Sequence, residues 1–248
     1  MDFVVSGQYS SPKVLLIHAM LNDSTCFDDL AEKLKEKYCV IRPTLDGHDG
    51  NTEFSSLNDQ VNKIVQYLTK YNCCELEFIM GSSLGALVAL GVSRDSTIKV
   101  KQTILDGIPF FKFGKVIKSI AKVIFLQIWK KSRKQPDYMT KKFEASFPGR
   151  GERMVEITST MTKSTIERLV EACYSNDLFV LNKTSQKNFH FLFGSKEPAR
   201  FSIRRIKKTG NVDIQIFNGY GHCEYINKYP NEYIEKIFSI LKQFPTQE

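Results

Sequence analysis

Residues 78–86 read FIMGSSLGA, Phe-Ile-Met-Gly-Ser-Ser-Leu-Gly-Ala. One apolar run enters this stretch, Leu76 to Met80 (LEFIM), and another leaves it, Leu84 to Val92 (LGALVALGV). The first has the length and continuity of a buried strand, and the second reads as a buried helix. A turn between them needs one glycine, yet Gly81 and Gly85 bracket Ser83. Side chains at both positions would collide with a neighbouring strand and helix, so something must approach closely on either side of the serine. A serine at a sharp strand-to-helix turn is held in a strained conformation with its hydroxyl exposed above the sheet edge. The helix that starts there also points free backbone N–H groups at any developing oxyanion. Ser83 is the candidate nucleophile, and Ser82 is the variable position of the Gly-x-Ser-x-Gly frame.

Working outward, the same alternation continues. Lys13 to His18 (KVLLIH), Tyr38 to Arg42 (YCVIR) and Val100 to Leu105 (VKQTIL) are further short apolar runs expected to be strands. Between them Asp28 to Lys37 has helical propensity, and Leu57 to Tyr71 repeats Val61, Ile64, Val65 and Leu68 at helical intervals. Later, Asn188 to Phe193 (NFHFLF) and Val212 to Phe217 (VDIQIF) read as strands, with helices over Pro198–Lys208 and Glu232–Phe244. Strands alternating with helices predict an α/β fold, a mainly parallel, doubly wound sheet with helices on both faces. The rhythm breaks over 108–185, which reads as helical throughout.

Composition marks the same boundary. The 248 residues are 42% hydrophobic and 25% charged, ordinary for a globular chain. The net charge of +8 is confined to one place: 108–185 holds 15 Lys+Arg against 7 Asp+Glu, and the remainder has 20 of each. The expected organisation is therefore a core of 1–107 and 186–248 with a helical insertion at 108–185. The six cysteines show neither zinc-finger spacing nor a C-x-x-C motif, which fits reduced thiols in a cytoplasmic protein. No apolar stretch approaches the length of a transmembrane helix, and no secretory signal pattern opens the chain. Nucleic acid is not an expected partner, because the lysines lack interleaved aromatics on a recognisable module.

A serine is a weak nucleophile at neutral pH and needs a base. His222, in the glycine-flanked loop NGYGHCEY before the last helix, is free to swing over the turn. His190 lies inside a strand, His18 ends one, and His48 follows Asp46–Gly47 in a loop. The base in turn needs an acid to hold its tautomer. Glu197, in the loop GSKEPAR at a strand end, is favoured, with Asp106 in LDGIP as the alternative. Both loops belong to the carboxyl edge of the sheet, where ligands of open α/β sheets bind. Glu224 is read as solvated surface.

With the order Ser83, Glu197, His222 the chain resembles the α/β-hydrolase superfamily, whose partners follow as nucleophile, acid, histidine. Five segments carry the resemblance over nearly the whole chain outside 108–185: LLIHAM (15–20), PTLDGHDG (43–50), GSSLGA (81–86), GSKEP (194–198) and GYGHCEY (219–225). There are departures. Ala19 stands where glycine is usual, the acid is glutamate where aspartate is commoner, and LDGHDG matches the family's Asp-x-x-Gly-His-Gly loop imperfectly. The early antiparallel strands are reduced to FVV near the N-terminus, which implies a trimmed sheet.

The resemblance implies a serine hydrolase, carboxylesterase-like, that cleaves an ester or related acyl bond of a small apolar substrate through an acyl-enzyme. It implies an oxyanion hole from the N–H groups of Met20 and Leu84, and no metal or organic cofactor. A dehalogenase is disfavoured, since that chemistry wants a carboxylate at position 83. Two other readings stay open: a non-catalytic ligand-binding protein on the same scaffold, and a membrane-associated lipase or thioesterase.

In this superfamily an insertion at this point usually forms a cap, or lid, over the site. Within FFKFGKVIKSIAKVIFLQIWKKSRK (110–134), Phe113, Val116, Ile117, Ile120, Ile124 and Ile128 follow helical spacing, with Lys115, Lys118 and Lys122 elsewhere around the helix. The favoured reading turns this apolar face onto the active site and leaves the lysines in water. The other lays the helix on an anionic membrane surface. In either case Phe110, Phe111, Phe113 and Trp129 are expected to wall an apolar acyl or aryl pocket. The expected partner is a small-molecule acyl substrate.

Overall fold

A computed structural model describes residues 1–175, 188–210 and 212–243. Seven strands form one sheet in the order β1-β3-β2-β4-β5-β6-β7. They are β1 (Asp2–Ser6), β2 (Lys13–Ile17), β3 (Cys39–Thr44), β4 (Glu75–Ser82), β5 (Lys99–Asp106), β6 (Phe189–Gly194) and β7 (Asp213–Phe217). Only β1, the FVV strand, runs antiparallel, pairing Asp2 with Thr44 and Val5 with Ile41 of β3. The other pairs are parallel.

The period of two along each strand divides its side chains between two layers. Leu15, Ile17, Ile41 and Ile79 pack with Ile64 and Leu68 of α2 (Leu57–Lys70) and with α3 (Leu84–Val92). Val14, Leu16, Phe78 and Met80 face the other way, against Leu30 and Leu34 of α1 (Asp28–Leu34) and Tyr233 and Ile237 of α10 (Pro230–Gln243). Near-continuous apolar strands are what a sheet covered on both faces requires.

Among the described residues, four helices lie between β5 and β6: α4 (Lys115–Lys134), α5 (Pro136–Ser146), α6 (Gly151–Thr160) and α7 (Lys163–Tyr174). They have no separate core. Met139, Phe143, Met154, Ile166 and Leu169 join the same buried cluster as Leu105 and Phe191 of the sheet. The expected boundary at 185/186 lies outside the described residues, as does Phe244. The segment Pro198–Lys208, expected as one helix, is instead a 3-10 turn (Pro198–Ser202), a single α-turn α8 (Ile203–Ile206) and a second 3-10 turn (Lys207–Thr209). A short α9 (Glu224–Lys228) precedes α10, and Pro230 opens the new helix because it cannot continue the old one.

One expectation holds only in part. Of the apolar stripe of α4, Ile128 turns inward and packs against the core, but Val116, Ile117, Ile120 and Ile124 are exposed. The buried side of α4 carries Ala121 and Ser132, small residues that let the helix approach closely. Helical periodicity says which residues share a face, not which face the neighbours choose. Among the described residues, no helix is long and apolar enough to cross a membrane.

Candidate active site

The two glycines that bracket Ser83 have a steric reason. A Cβ on Gly81 would stand 2.2 Å from the carbonyl oxygen of Gly85, in the first turn of α3. One on Gly85 would stand 2.2 Å from the carbonyl of Ile17 and 2.5 Å from that of His18, at the end of β2. Helix and strand thus close on the turn from both sides. Ser83 between them has φ 52° and ψ −113°, a positive φ that non-glycine residues rarely adopt. Its N–H is tied to the Asp106 carbonyl at 2.8 Å, which fixes the bend against β5.

Three strand ends then deliver three side chains to one spot. His222 follows β7, and its Nε2 lies 2.8 Å from Ser83 Oγ. Its Nδ1 is hydrogen-bonded to Glu197 Oε2, from the loop after β6. Glu197 is 1% exposed, and its Oε1 accepts the Gly194 N–H at 2.5 Å. An ionised carboxylate can only accept, so Nδ1 carries the proton and Nε2 is left to accept from the serine hydroxyl. The two loops are knitted together: Ser195 N–H donates to Phe217 O and Lys196 N–H to Tyr220 O, each at 2.9 Å. Glu224 is not mere solvated surface. It accepts the Gly221 N–H and pairs with Lys228, so it braces the histidine loop.

Asp106, the alternative acid, is buried with its Oδ2 accepting from the Tyr233 hydroxyl at 2.9 Å. Burial, with the nearby Glu197 charge adding to it, pushes its carboxyl up to about 7. It is bonded to Tyr233, while His222 is bonded to Glu197 and Ser83.

The loop after β2 bends through a turn closed by Asn22 N–H on Ala19 O, with Leu21 left-handed at φ 65°. Met20 lies in this turn and lines a cavity shared with Ser83 and His222. Leu84 opens α3, so its N–H is among those with no intrahelical acceptor. His18 and His48 are both buried, edge to face at 4.9 Å, and His18 Nε2 accepts the Leu45 N–H at 2.9 Å. They join the two loops as a structural pair. Burial holds them neutral, His18 down to about 3 and His48 to about 4. His190 is likewise structural, bonded to Asp213 and Gln102 inside the sheet.

The cavity above Ser83 measures about 290 Å³. Its walls are apolar, from Phe125 and Ile128 of α4, Phe143 of α5, Met154 of α6 and Tyr174 of α7. Of the four aromatics expected there, only Phe111 lines it. Phe110 is turned into the core against Phe191. Phe113 stacks behind Phe111, ring centroids 4.7 Å apart, as a second layer. Trp129 donates its indole N–H to Met161 O at 2.9 Å and stitches α4 to the α6–α7 turn. A wider cleft of about 820 Å³ opens at the opposite edge of the strands, beside Lys13, Glu75 and Lys99, and its lining contains no histidine.

Sequence reading also missed how the insertion is anchored. Arg150 donates to Asn22 Oδ1 at 2.7 Å and to Asp23 Oδ1 at 3.0 Å, and Arg153 donates to Asp23 Oδ2 at 2.7 Å. Burial works against the Asp23 charge, but bonds from Thr25 and Arg153 and the Arg150 charge hold its carboxyl below the ordinary range. The clasp fastens the start of α6 to the loop that carries Met20. The signal available was a pair of arginines three residues apart in an otherwise unassigned segment. Among the described residues no group of His, Cys, Asp or Glu is arranged to hold a metal.

Comparison with known proteins adds fold-level support. No protein-family model and no curated protein matches the sequence. Solved structures do match. A protein from Desulfitobacterium hafniense assigned to the alpha/beta hydrolase family is 25% identical, with a TM-score of 0.76 over 97% of this chain and 100% of that one. A thermophilic esterase from Thermogutta terrifontis is 16% identical, with a TM-score of 0.75 over 99% of this chain and 94% of that one. A carboxylesterase of Nitrososphaera gargenis is 17% identical, with a TM-score of 0.70 over 98% and 95%. In strand order, nucleophile turn and overall likeness the chain has the α/β-hydrolase fold.

Proposed function

We propose that the chain is a serine hydrolase acting on a carboxylic ester or related acyl bond of an apolar substrate. The observation that carries this reading is the 2.8 Å contact between Ser83 Oγ and His222 Nε2 at the floor of an apolar cavity. Esterases and a carboxylesterase among the structures of like fold support it.

Ser83 Oγ attacks the acyl carbon while its proton passes to His222 Nε2. The carbonyl electron pair moves onto oxygen, where the N–H groups of Met20 and Leu84 hold it. Collapse of the tetrahedral adduct breaks the bond to the leaving group, which takes the proton from His222. Water then gives its proton to the same nitrogen, attacks the acyl-enzyme and releases the acid with Ser83 restored. Glu197 keeps Nδ1 protonated and balances the imidazolium formed at each stage. General acid–base help of this kind contributes about 10²–10⁴-fold. Helices α4–α7 act as the cap, excluding water and shaping the acyl site.

The test is a fluorophosphonate probe on wild type, Ser83→Ala and His222→Ala, read by intact mass. Wild type alone should gain one phosphonyl group, and p-nitrophenyl esters of graded acyl length should then be turned over. A folded wild type that stays unlabelled would overturn the reading in favour of a ligand-binding protein on this scaffold.

A further inference from the structure

Helix α4 presents two unlike faces. Phe125 and Ile128 look into the cavity, and Ala121 and Ser132 are buried beside them. On the outer side Val116, Ile117, Ile120, Val123 and Ile124 recur at i, i+1, i+4, i+7 and i+8, which makes them one stripe. They are between 48% and 74% exposed. The stripe is about 12 Å long at the rise of an α-helix. A contiguous aliphatic surface of this kind is a mark of an interaction site, whereas scattered exposed apolar residues are not.

Its charge setting narrows the partner. From Lys112 to Lys134 the chain has eight Lys+Arg and no Asp or Glu. Lys115 stands exposed near the start of the stripe, and Lys130, Lys131 and Lys134 extend beyond its end, also exposed. Lys118 of this helix pairs with Glu171 of α7 at 2.6 Å.

We infer that the outer face of α4 docks on an anionic lipid bilayer, with the aliphatic stripe at the headgroup–acyl boundary and the lysines among the phosphates. The surface is convex and one helix wide, which suits a plane and not a peptide groove. Its exposed residues are branched aliphatics without aromatic rings, so bases have nothing to stack on. A second copy docked through the same stripe would bring two strings of lysines together with no acid on either helix to offset them. A bilayer meets both demands, burying apolar area and attracting lysines to its negative surface. The cavity would then lie about one helix diameter, roughly 10 Å, from the headgroups.

The test is co-sedimentation with phosphatidylcholine vesicles prepared with and without phosphatidylserine. Wild type and Ser83→Ala should bind the anionic vesicles equally, and less in high salt. The double variant Ile120→Ser with Ile124→Ser should bind about tenfold or more weakly. Circular dichroism reports whether each protein is folded, and fluorophosphonate labelling of wild type and the double variant reports separately on the nucleophile, so failure of docking is distinguishable from failure of the hydrolase reading. The inference is overturned if folded wild type ignores both vesicle types, or if the double variant binds as well as wild type. It is also overturned if the stripe instead holds a dimer, seen as a concentration-dependent assembly that the double variant breaks and that does not bind vesicles.

Discussion

The carboxyl edge of the sheet and the helical insertion between β5 and β6 obey different rules. At the edge, β4, β6 and β7 lead into the turns and loops that carry Ser83, Glu197 and His222, and strand register fixes the strand ends relative to one another. Gly81 pairs with Leu105 and Gly194 with Phe217, and a slip of one residue would turn every side chain to the wrong layer. In the insertion no register exists. The rotation of α4 about its axis is set by what α6, α7 and the cavity wall accept. The edge therefore carries its chemistry in the order of the chain, and the insertion carries its shape in contacts between distant residues.

The largest expected effect tests the edge. Glu197→Gln keeps the size of the side chain but removes the charge that holds His222 Nδ1 protonated. It should lower kcat for a p-nitrophenyl ester by about 10³–10⁴-fold with the melting temperature little changed. Asp106→Asn should cost less than about tenfold, because that carboxyl is engaged by Tyr233. If Asp106→Asn loses as much as Glu197→Gln, the acid has been assigned to the wrong strand.

This contrast explains what the sequence made legible. GSSLG between LEFIM and LGALVAL was readable because sterics allow few residues at 81 and 85, and the surrounding backbone then dictates where Ser83 points. Glu197 and His222 were readable because each lies in the loop that follows a recognisable strand. FVV was correctly expected as the remaining antiparallel strand. The pocket was not readable. Phe110, Phe111 and Phe113 are close in sequence, yet one faces the core, one the cavity and one the back of its neighbour. Non-helical backbone between β5 and α4 gives no period from which to assign them. The Asp23–Arg150–Arg153 clasp joins residues more than a hundred positions apart, beyond any local pattern. The outward turn of Val116–Ile124 was missed because helix packing, not amphipathicity alone, chose the buried face.

A second prediction concerns how the edge responds to pH. Asp106 is raised from 3.8 to about 7, mainly by burial. Between those values the native state holds a proton that the unfolded chain has released, so this group lowers stability as pH rises through the window. The cost is up to about 1.4 kcal/mol per pH unit, complete above about pH 7. His18 and His48 act in the opposite direction. Depressed from 6.5 to about 3 and about 4, they contribute stability that is present above 6.5 and lost as pH falls through the folded values. In wild type the two trends partly offset each other. Asp106→Asn should melt higher than wild type at about pH 8 and lose stability more steeply on acidification toward about pH 4. Parallel melting curves for the two proteins across that range would mean that Asp106 is ionised in the native state like an ordinary carboxylate.

The smallest effects discriminate within α4, between two adjacent residues with different surroundings. Phe125 lines the cavity, and Ile124 is 50% exposed. Phe125→Ala should cost about 1–3 kcal/mol in denaturant unfolding. It should also shift ester preference toward bulkier acyl groups, because the lost ring enlarges the site. Ile124→Ala should change stability by less than about 0.5 kcal/mol and leave acyl preference where it was. The pair is informative because helix propensity and sequence neighbourhood are nearly the same for both, so only the facing differs. Equal destabilisation by the two substitutions would mean that the stripe packs inward. The cavity would then have a different wall, and the surface inferred to meet lipid would be part of the core.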